Sequence, residues 1–219
     1  YSSAASDVYK RQAVSDKDKN DSDFTGFLVQ TDYQAKQTGF IQPYADSPMD
    51  HEQVGEEVYI CMVNKAEKYC WFMTPYLIIT DEMSHALCLA AKRGVDVRII
   101  TPGIPDKKMI YNITRSFYHG LVKHGVRIYE WTPGFCHAKM SVADDCMATC
   151  GTINLDYRSL YHHFENGCFM ADCQAVLDIR NDLAATMDEC REVTEQYSTG
   201  RSAYLRLGQL FMRLFAGLL

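Results

Sequence analysis

The sequence has 219 residues, of which 47% are hydrophobic, and its formal net charge is −6. This length and composition predict one globular domain with a substantial core and polar extensions. The acidic balance argues against a broad nucleic-acid-binding surface, and no apolar run reaches the roughly 18–20 residues of a membrane-spanning helix.

Residues 1–23 are polar and have no helical or strand period, so we expect this segment to be disordered or artefactual. Its opening, YSSAASDVYKRQ, resembles the translation of a sequencing-library adapter. We therefore expect that the natural N-terminus is missing and that the chain is a fragment.

Hydrophobic periodicity from residue 54 onward predicts alternating helices and strands. The predicted helices are 54–68, 81–93, 109–124 and 174–194. The predicted strands are 95–100, 126–131, 138–144, 146–151 and 167–171, and 70–79 is a dense apolar run. This alternation predicts an α/β domain over 24–199, with a sheet sandwiched between helices (α-β-α). Asp144-Asp145 joins two consecutive strands and predicts an antiparallel pair, so the sheet should be mixed.

Residues 200–219 carry leucine and phenylalanine on one helical face and Arg206, Gln209 and Arg213 on the other. This pattern predicts an amphipathic helix. Such a stripe packs onto the protein or a partner domain, or it lies in a membrane surface, and the sequence leaves both alternatives open.

The nine cysteines include no CxxC pair, and no secretory signal is visible. We interpret them as reduced thiols that act as small apolar core residues. Cys136, His137, Cys146 and Cys150 match no common zinc-ligand spacing.

The segment CHAKMSVAD concentrates polar residues where a phosphate ester would need them. On a strand, side chains at i and i+2 share a face, so His137 and Lys139 should project together. A histidine can attack phosphorus or move protons near neutral pH, and a lysine neutralises charge on non-bridging oxygens. Gly151 permits close backbone approach, and Thr152 and Asn154 add uncharged donors at the end of the next strand.

The spacing of these residues, HAKMSVAD followed by GTIN, resembles the HxKxxxxDxxxxxxGSxN signature of the phospholipase D superfamily, with threonine in place of the commoner serine. Flanking stretches such as FMTPYLIITDEM and GVRIYEWTPGFCHAK are similar to the C-terminal half of bacterial cardiolipin synthases with two such motifs. The resemblance runs from about residue 39 to the end.

The resemblance implies roles for the residues that match the signature. His137 would be one of two active-site histidines, and Lys139, Thr152 and Asn154 would contact phosphate. Asp144 belongs to the catalytic signature but is expected to be structural, pairing within or beside the site. Glu165 would accept a hydrogen bond from the motif histidine, and Tyr76 and Arg158 would be structural or pocket-lining.

The resemblance also implies a two-step transfer without a metal or organic cofactor. One histidine attacks the phosphorus of phosphatidylglycerol, and a second phosphatidylglycerol displaces it to give cardiolipin. His137 would be the general acid and base. The implied partners are phospholipids and a membrane surface, with no nucleic acid. The full-length protein would be anchored in a bacterial membrane by N-terminal helices, with its catalytic domain on the cytoplasmic side.

The chain contains one such motif, because no other histidine has a lysine two residues later. Three interpretations follow. The favoured one is a cardiolipin synthase truncated at its N-terminal half, with little activity alone. The second is a single-motif phosphodiesterase or nuclease that completes its site with a second copy as a homodimer. The third, disfavoured because the motif is intact, is a catalytically silent interaction module.

Overall fold

A computed structural model describes residues 38–49 and 52–198. The expectations for 1–23 and 200–219 lie outside these residues. Numbered in chain order, the helices are α1 (Val54–Lys65), α2 (Asp81–Lys92), α3 (Lys108–Val122), α4 (Tyr157–Tyr161), α5 (Gln174–Glu189) and α6 (Thr194–Ser198). The strands are β1 (Phe40–Asp46), β2 (Tyr69–Met73), β3 (Leu77–Ile78), β4 (Asp96–Pro102), β5 (Arg127–Trp131), β6 (Met140–Ala143), β7 (Met147–Gly151), β8 (Leu155–Asp156), β9 (Glu165–Ala171) and β10 (Cys190–Glu192).

Eight strands form one mixed sheet in the order β1-β9-β7-β6-β2-β4-β5-β10. The three neighbours β2, β4 and β5 run parallel, and the remaining pairs are antiparallel. Strands β3 and β8 form a separate parallel pair. The prediction of a mixed sheet in an α/β domain is confirmed.

The sheet is covered by helices on both faces. Neighbouring residues of β4 show this directly, because Ile99 packs with the core residues of α1, α2 and α3, whereas Ile100 packs with those of α5. Both side chains are fully buried. A strand segment covered on two faces needs apolar residues at successive positions, as at Ile99 and Ile100.

The turn between β6 and β7 fixes the predicted hairpin. Asp144 and Asp145 have φ values of 52° and 59°, a left-handed conformation that aspartate tolerates better than most residues. The Asp144 carboxylate also accepts hydrogen bonds from the backbone N–H groups of Glu67, Lys68 and Tyr69, at 2.7, 2.9 and 2.8 Å. These bonds tie the hairpin to the start of β2.

One edge of the sheet collects the ends of many strands. The carboxyl ends of β2, β4 and β5 lie there because these strands are parallel. Strand β6 begins at the same edge, with Met140 opposite Met73. Strand β7 ends there, where Gly151 lies opposite Gly167 of β9. This edge carries the candidate site.

The structure differs from the predictions at both margins of the sheet. Strand β1 was not predicted, since FIQPYAD is largely exposed and contains Pro43, a residue typical of edge strands. The predicted helix 174–194 ends at Glu189, because Cys190 pairs with Trp131 and extends the sheet as β10. Sheet pairing overrides helical periodicity there.

All nine cysteines are free thiols, but they are not uniformly core residues. Cys70, Cys88 and Cys136 are buried, whereas Cys61 and Cys150 are exposed, so the core prediction was wrong for those two.

Across residues 38–49 and 52–198, no helix has both the length and the apolar character that crossing a membrane requires.

Candidate active site

His137 and Lys139 lie in the segment that leads into β6, whereas the sequence pattern placed them near and within the strand itself. The strand begins at Met140, so Lys139 is its immediate neighbour. Both side chains nevertheless line one open groove of about 490 Å³. The groove is also lined by Gly151, Thr152, Asn154 and Glu165. The structure therefore brings five of the six predicted site residues together.

The His137 ring is held between charged and aromatic neighbours. The Lys139 ammonium lies 2.8 Å from His137 Nδ1 and also donates to the His137 carbonyl at 2.8 Å. Phe135 stacks on the imidazole at 5.8 Å between centroids, and Tyr76 meets it edge-on at 6.2 Å. Sequence reasoning did not identify Phe135, whose aromatic character two residues before the motif histidine was the available signal.

The electrostatics of this cluster favour an uncharged imidazole. Burial and, next, the Lys139 ammonium lower the pKa of His137, while the Asp106 carboxylate acts in the opposite direction. Burial also lowers the pKa of Lys139, against the carboxylates of Glu165 and Asp156, which raise it. Near neutral pH the site thus presents a neutral histidine beside a cation, a pair suited to proton transfer at a phosphate ester.

Glu165, at the start of β9, organises a second cluster of side chains at the groove. The hydroxyl of Thr152 donates to its Oε2, and Ser159 Oγ donates to its Oε1 at 3.0 Å. His163 Nδ1 lies 3.6 Å from the same Oε1. In the described part of the chain His137 is not among these partners, which differs from the expected hydrogen bond between the two side chains.

Asn154 is linked to Glu165 through Ser159, because its amide Nδ2 donates to Ser159 Oγ at 2.9 Å. Sequence reasoning missed Ser159. Its position is set by α4, whose N-cap Asp156 accepts a hydrogen bond from the Ser159 N–H at 2.7 Å. An aspartate three residues before a serine at a helix start was the available signal.

Gly151 allows β7 and β9 to approach each other at the groove. A Cβ atom at this position would lie 2.4 Å from the Asn166 carbonyl oxygen and 2.7 Å from Gly167 Cα. The expected close approach is therefore present, between two strands of the protein. It places Thr152 N–H 2.8 Å from the Asn166 carbonyl oxygen and brings Thr152 beside Glu165.

Asp144 lies away from the groove. Lys139 precedes β6 and Asp144 follows it, so the strand separates the two residues. Burial raises the pKa of Asp144, but hydrogen bonds from the backbone N–H groups of Glu67, Tyr69 and Lys68 outweigh this effect and hold the pKa below its usual range. Its position at the hairpin corrects the expectation that it would pair within or beside the site.

Residues 59–187 match the family model described as "Cardiolipin synthase, PLD-like domain". The chain belongs to this family. An uncharacterized protein from Streptococcus mutans is 48% identical to this PLD-like chain over 199 residues, which cover 91% of the chain and 43% of that protein. Cardiolipin synthase 2 from Bacillus cereus is 33% identical, over 83% of the chain and 35% of its own length. The chain thus spans less than half the length of these relatives.

The PLD-like fold is also found among solved structures. The phospholipase D family member Nuc from Salmonella typhimurium superposes with a TM-score of 0.60 and 15% identity, over 71% of this chain and 98% of that one. The superposition supports the mixed α/β architecture described above.

Proposed function

We propose that this domain supplies one half of a phosphatidyl-transfer site that makes cardiolipin from two phosphatidylglycerol molecules. The observation that carries the proposal is the groove in which His137 and Lys139 face Thr152, Asn154 and Glu165. Membership of the cardiolipin synthase PLD-like family supports the assignment of the substrate class.

In the first step, a second motif histidine attacks the phosphorus of phosphatidylglycerol. The bond from phosphorus to the glycerol oxygen breaks, and His137, in its protonated form, donates a proton to the departing glycerol. The product on the enzyme is a phosphohistidine. Lys139 turns from His137 towards the non-bridging oxygens and neutralises charge as it develops on them.

In the second step, the glycerol hydroxyl of another phosphatidylglycerol attacks the phosphohistidine. His137, now neutral, takes the hydroxyl proton while the phosphorus–nitrogen bond breaks. The low pKa of His137 favours this neutral form, and it also makes the protonated form a stronger acid for the first step. Glu165 positions Thr152 and Ser159, and through Ser159 it positions Asn154.

The second histidine comes, in this proposal, from outside the chain, either from an N-terminal half or from a second copy. The chain has one HxK pair, and the relatives it matches are more than twice as long. The genomic sequence upstream of the Thr25 codon provides a direct test, because we expect it to encode another HxKxxxxD motif and hydrophobic spans. An in-frame start codon near residue 20 would count against this arrangement.

A chimera tests the activity. We would replace the matching region of the Bacillus cereus cardiolipin synthase 2 with residues 38–198 and measure cardiolipin formation from phosphatidylglycerol. We expect activity in the parent chimera and a loss of at least 100-fold in His137→Ala, because the proton donor and acceptor is removed. His85→Ala, an exposed histidine on α2, is the matched control and should retain activity. Equal activity in the His137→Ala chimera would remove His137 from the site.

A further inference from the structure

Three segments lie at the edge of the sheet that carries the groove. Residues 103–109 follow β4, residues 132–139 follow β5, and residues 157–164 lead into β9. Because β4 and β5 end at the edge where β9 begins, these segments lie on the same side of the molecule.

Each segment exposes large apolar side chains, which we call the apolar rim. Its members are Ile104, Met109, Phe135 and Phe164, with exposed fractions of 46%, 54%, 51% and 39%. Elsewhere in the described residues, the large apolar side chains with comparable exposure are Phe40, Ile41, Met49 and Leu89. Half of this exposed set thus lies in segments at the sheet edge that carries the groove, and exposed apolar patches mark interaction sites.

The three segments are connected through side-chain contacts. Phe135 and Tyr76 both contact the His137 ring, and the Tyr76 hydroxyl donates to Asp106 at 2.5 Å. Tyr76, Lys107 and Arg158 line one small cavity beside this contact. Arg158 Nε in turn donates to His163 Nε2 at 2.8 Å, next to Phe164. The three segments, with Lys107 and Arg158, are therefore neighbours.

The charge of these three segments is opposite to that of the whole chain. The three segments contain the cations Lys107, Lys108, Lys139 and Arg158 and one acid, Asp106, whereas the chain as a whole has a formal net charge of −6. The Asp106 carboxylate is bound by the Tyr76 hydroxyl and by the Lys107 N–H at 2.7 Å. Lys107, Lys108 and Arg158 are exposed.

We propose that the apolar rim and these cations form a docking surface for an anionic phospholipid bilayer. The apolar side chains would enter the boundary between headgroups and acyl chains, while the lysines and the arginine contact lipid phosphates. The groove then opens onto the headgroups, so a lipid phosphate reaches His137 without leaving the bilayer. This last consequence rests on the proposed function, whereas the docking itself does not.

Vesicle flotation with the purified chain tests the docking surface. We expect the chain to bind vesicles of phosphatidylglycerol and phosphatidylcholine, and to bind pure phosphatidylcholine vesicles at least tenfold more weakly. The double variant Ile104→Ser/Met109→Ser should lose at least tenfold in partitioning, as should Phe135→Ser alone. The matched control Ile41→Ser/Leu89→Ser removes equally exposed side chains away from the groove and should stay within twofold of the parent.

A separate double variant tests the contribution of positive charge to vesicle binding. Lys107→Gln/Lys108→Gln should weaken binding to phosphatidylglycerol vesicles by about fivefold for each lysine, and 0.5 M salt should abolish that difference. Thermal melts of every variant would verify folding.

Several outcomes would overturn the docking proposal. One is a parent chain that binds no vesicles, and another is rim variants that bind as the parent does, as they would if residues 200–219 alone held the chain on lipid. A third is rim variants that lose self-association by light scattering while keeping vesicle binding, which would make the rim a protein interface. Vesicle binding needs no turnover, so an inactive chimera would refute the proposed function and leave this result unaffected.

Discussion

At the scale of single residues, burial and, next, the contact with Lys139 hold the pKa of His137 below its ordinary value. An ammonium 2.8 Å from an imidazole nitrogen disfavours a second positive charge on the ring. Burial acts in the same direction, and Asp106 partly opposes both. His137 is consequently neutral over more of the physiological pH range than a histidine with the ordinary pKa.

This electrostatic balance at His137 can be tested without measuring catalysis. In Lys139→Met the pKa of His137 should rise towards its ordinary value, because a neighbouring positive charge is removed while burial remains. In Asp106→Asn it should fall further, because the opposing carboxylate is lost. Histidine NMR titration of the chain, with His137 assigned from His137→Gln, measures both shifts, and exposed His85 serves as the internal control. An unchanged His137 pKa in both variants would contradict the electrostatic account.

At the scale of secondary-structure elements, the close pairing of β7 and β9 shapes the groove. The strands meet at Gly151 and Gly167, and a side chain at position 151 would collide with the Asn166 carbonyl oxygen. The obstacle is backbone rather than a flexible side chain, so a larger residue must push the strands apart. Thr152 and Glu165 lie next to this contact and would move with it.

We expect Gly151→Ala to destabilise the domain by about 1–3 kcal/mol, the usual cost of overpacking. Gly120→Ala is the matched control, since position 120 lies in α3 and an added Cβ meets nothing within 4 Å. That change should instead stabilise the fold by about 0.5–1 kcal/mol, because glycine is unfavourable inside a helix. Urea unfolding of the three proteins measures the difference, and equal stabilities of Gly151→Ala and the parent would contradict it.

The same elements show what the sequence can and cannot predict. Local patterns predicted α2, α3 and the β6–β7 hairpin, because their periodicity and turn residues are encoded within a few positions. Strand β10 could not be found this way, since Cys190 becomes a strand residue only by pairing with Trp131, 59 positions earlier in the chain. The same distinction between local and long-range features applies to the candidate site. The motif spacing identified His137 and Lys139, whereas the partners of Asp144 lie some 75 positions away.

At the scale of the whole molecule, the topology gathers the candidate site residues on one open edge. The groove is lined by His137 and Lys139, which precede β6, by Thr152, which follows β7, and by Glu165, which begins β9. A displacement at phosphorus in two steps needs a nucleophile as well as a proton donor and acceptor, and His137 would fill the second role. The open edge is where a second motif histidine would have to enter.

The isolated chain should therefore form little or no cardiolipin from phosphatidylglycerol vesicles, even when it is bound to them. Mass spectrometry of the lipids after incubation measures the product, with the His137→Ala chain as the blank and the active chimera as the positive control. Light scattering of the same sample gives the oligomeric state.

A monomer that makes cardiolipin readily would contradict the proposal that the chain supplies only half of the active site. A dimer that hydrolyses a simple phosphodiester, and loses that activity in His137→Ala, would instead favour a homodimeric phosphodiesterase in which the second copy supplies the other histidine.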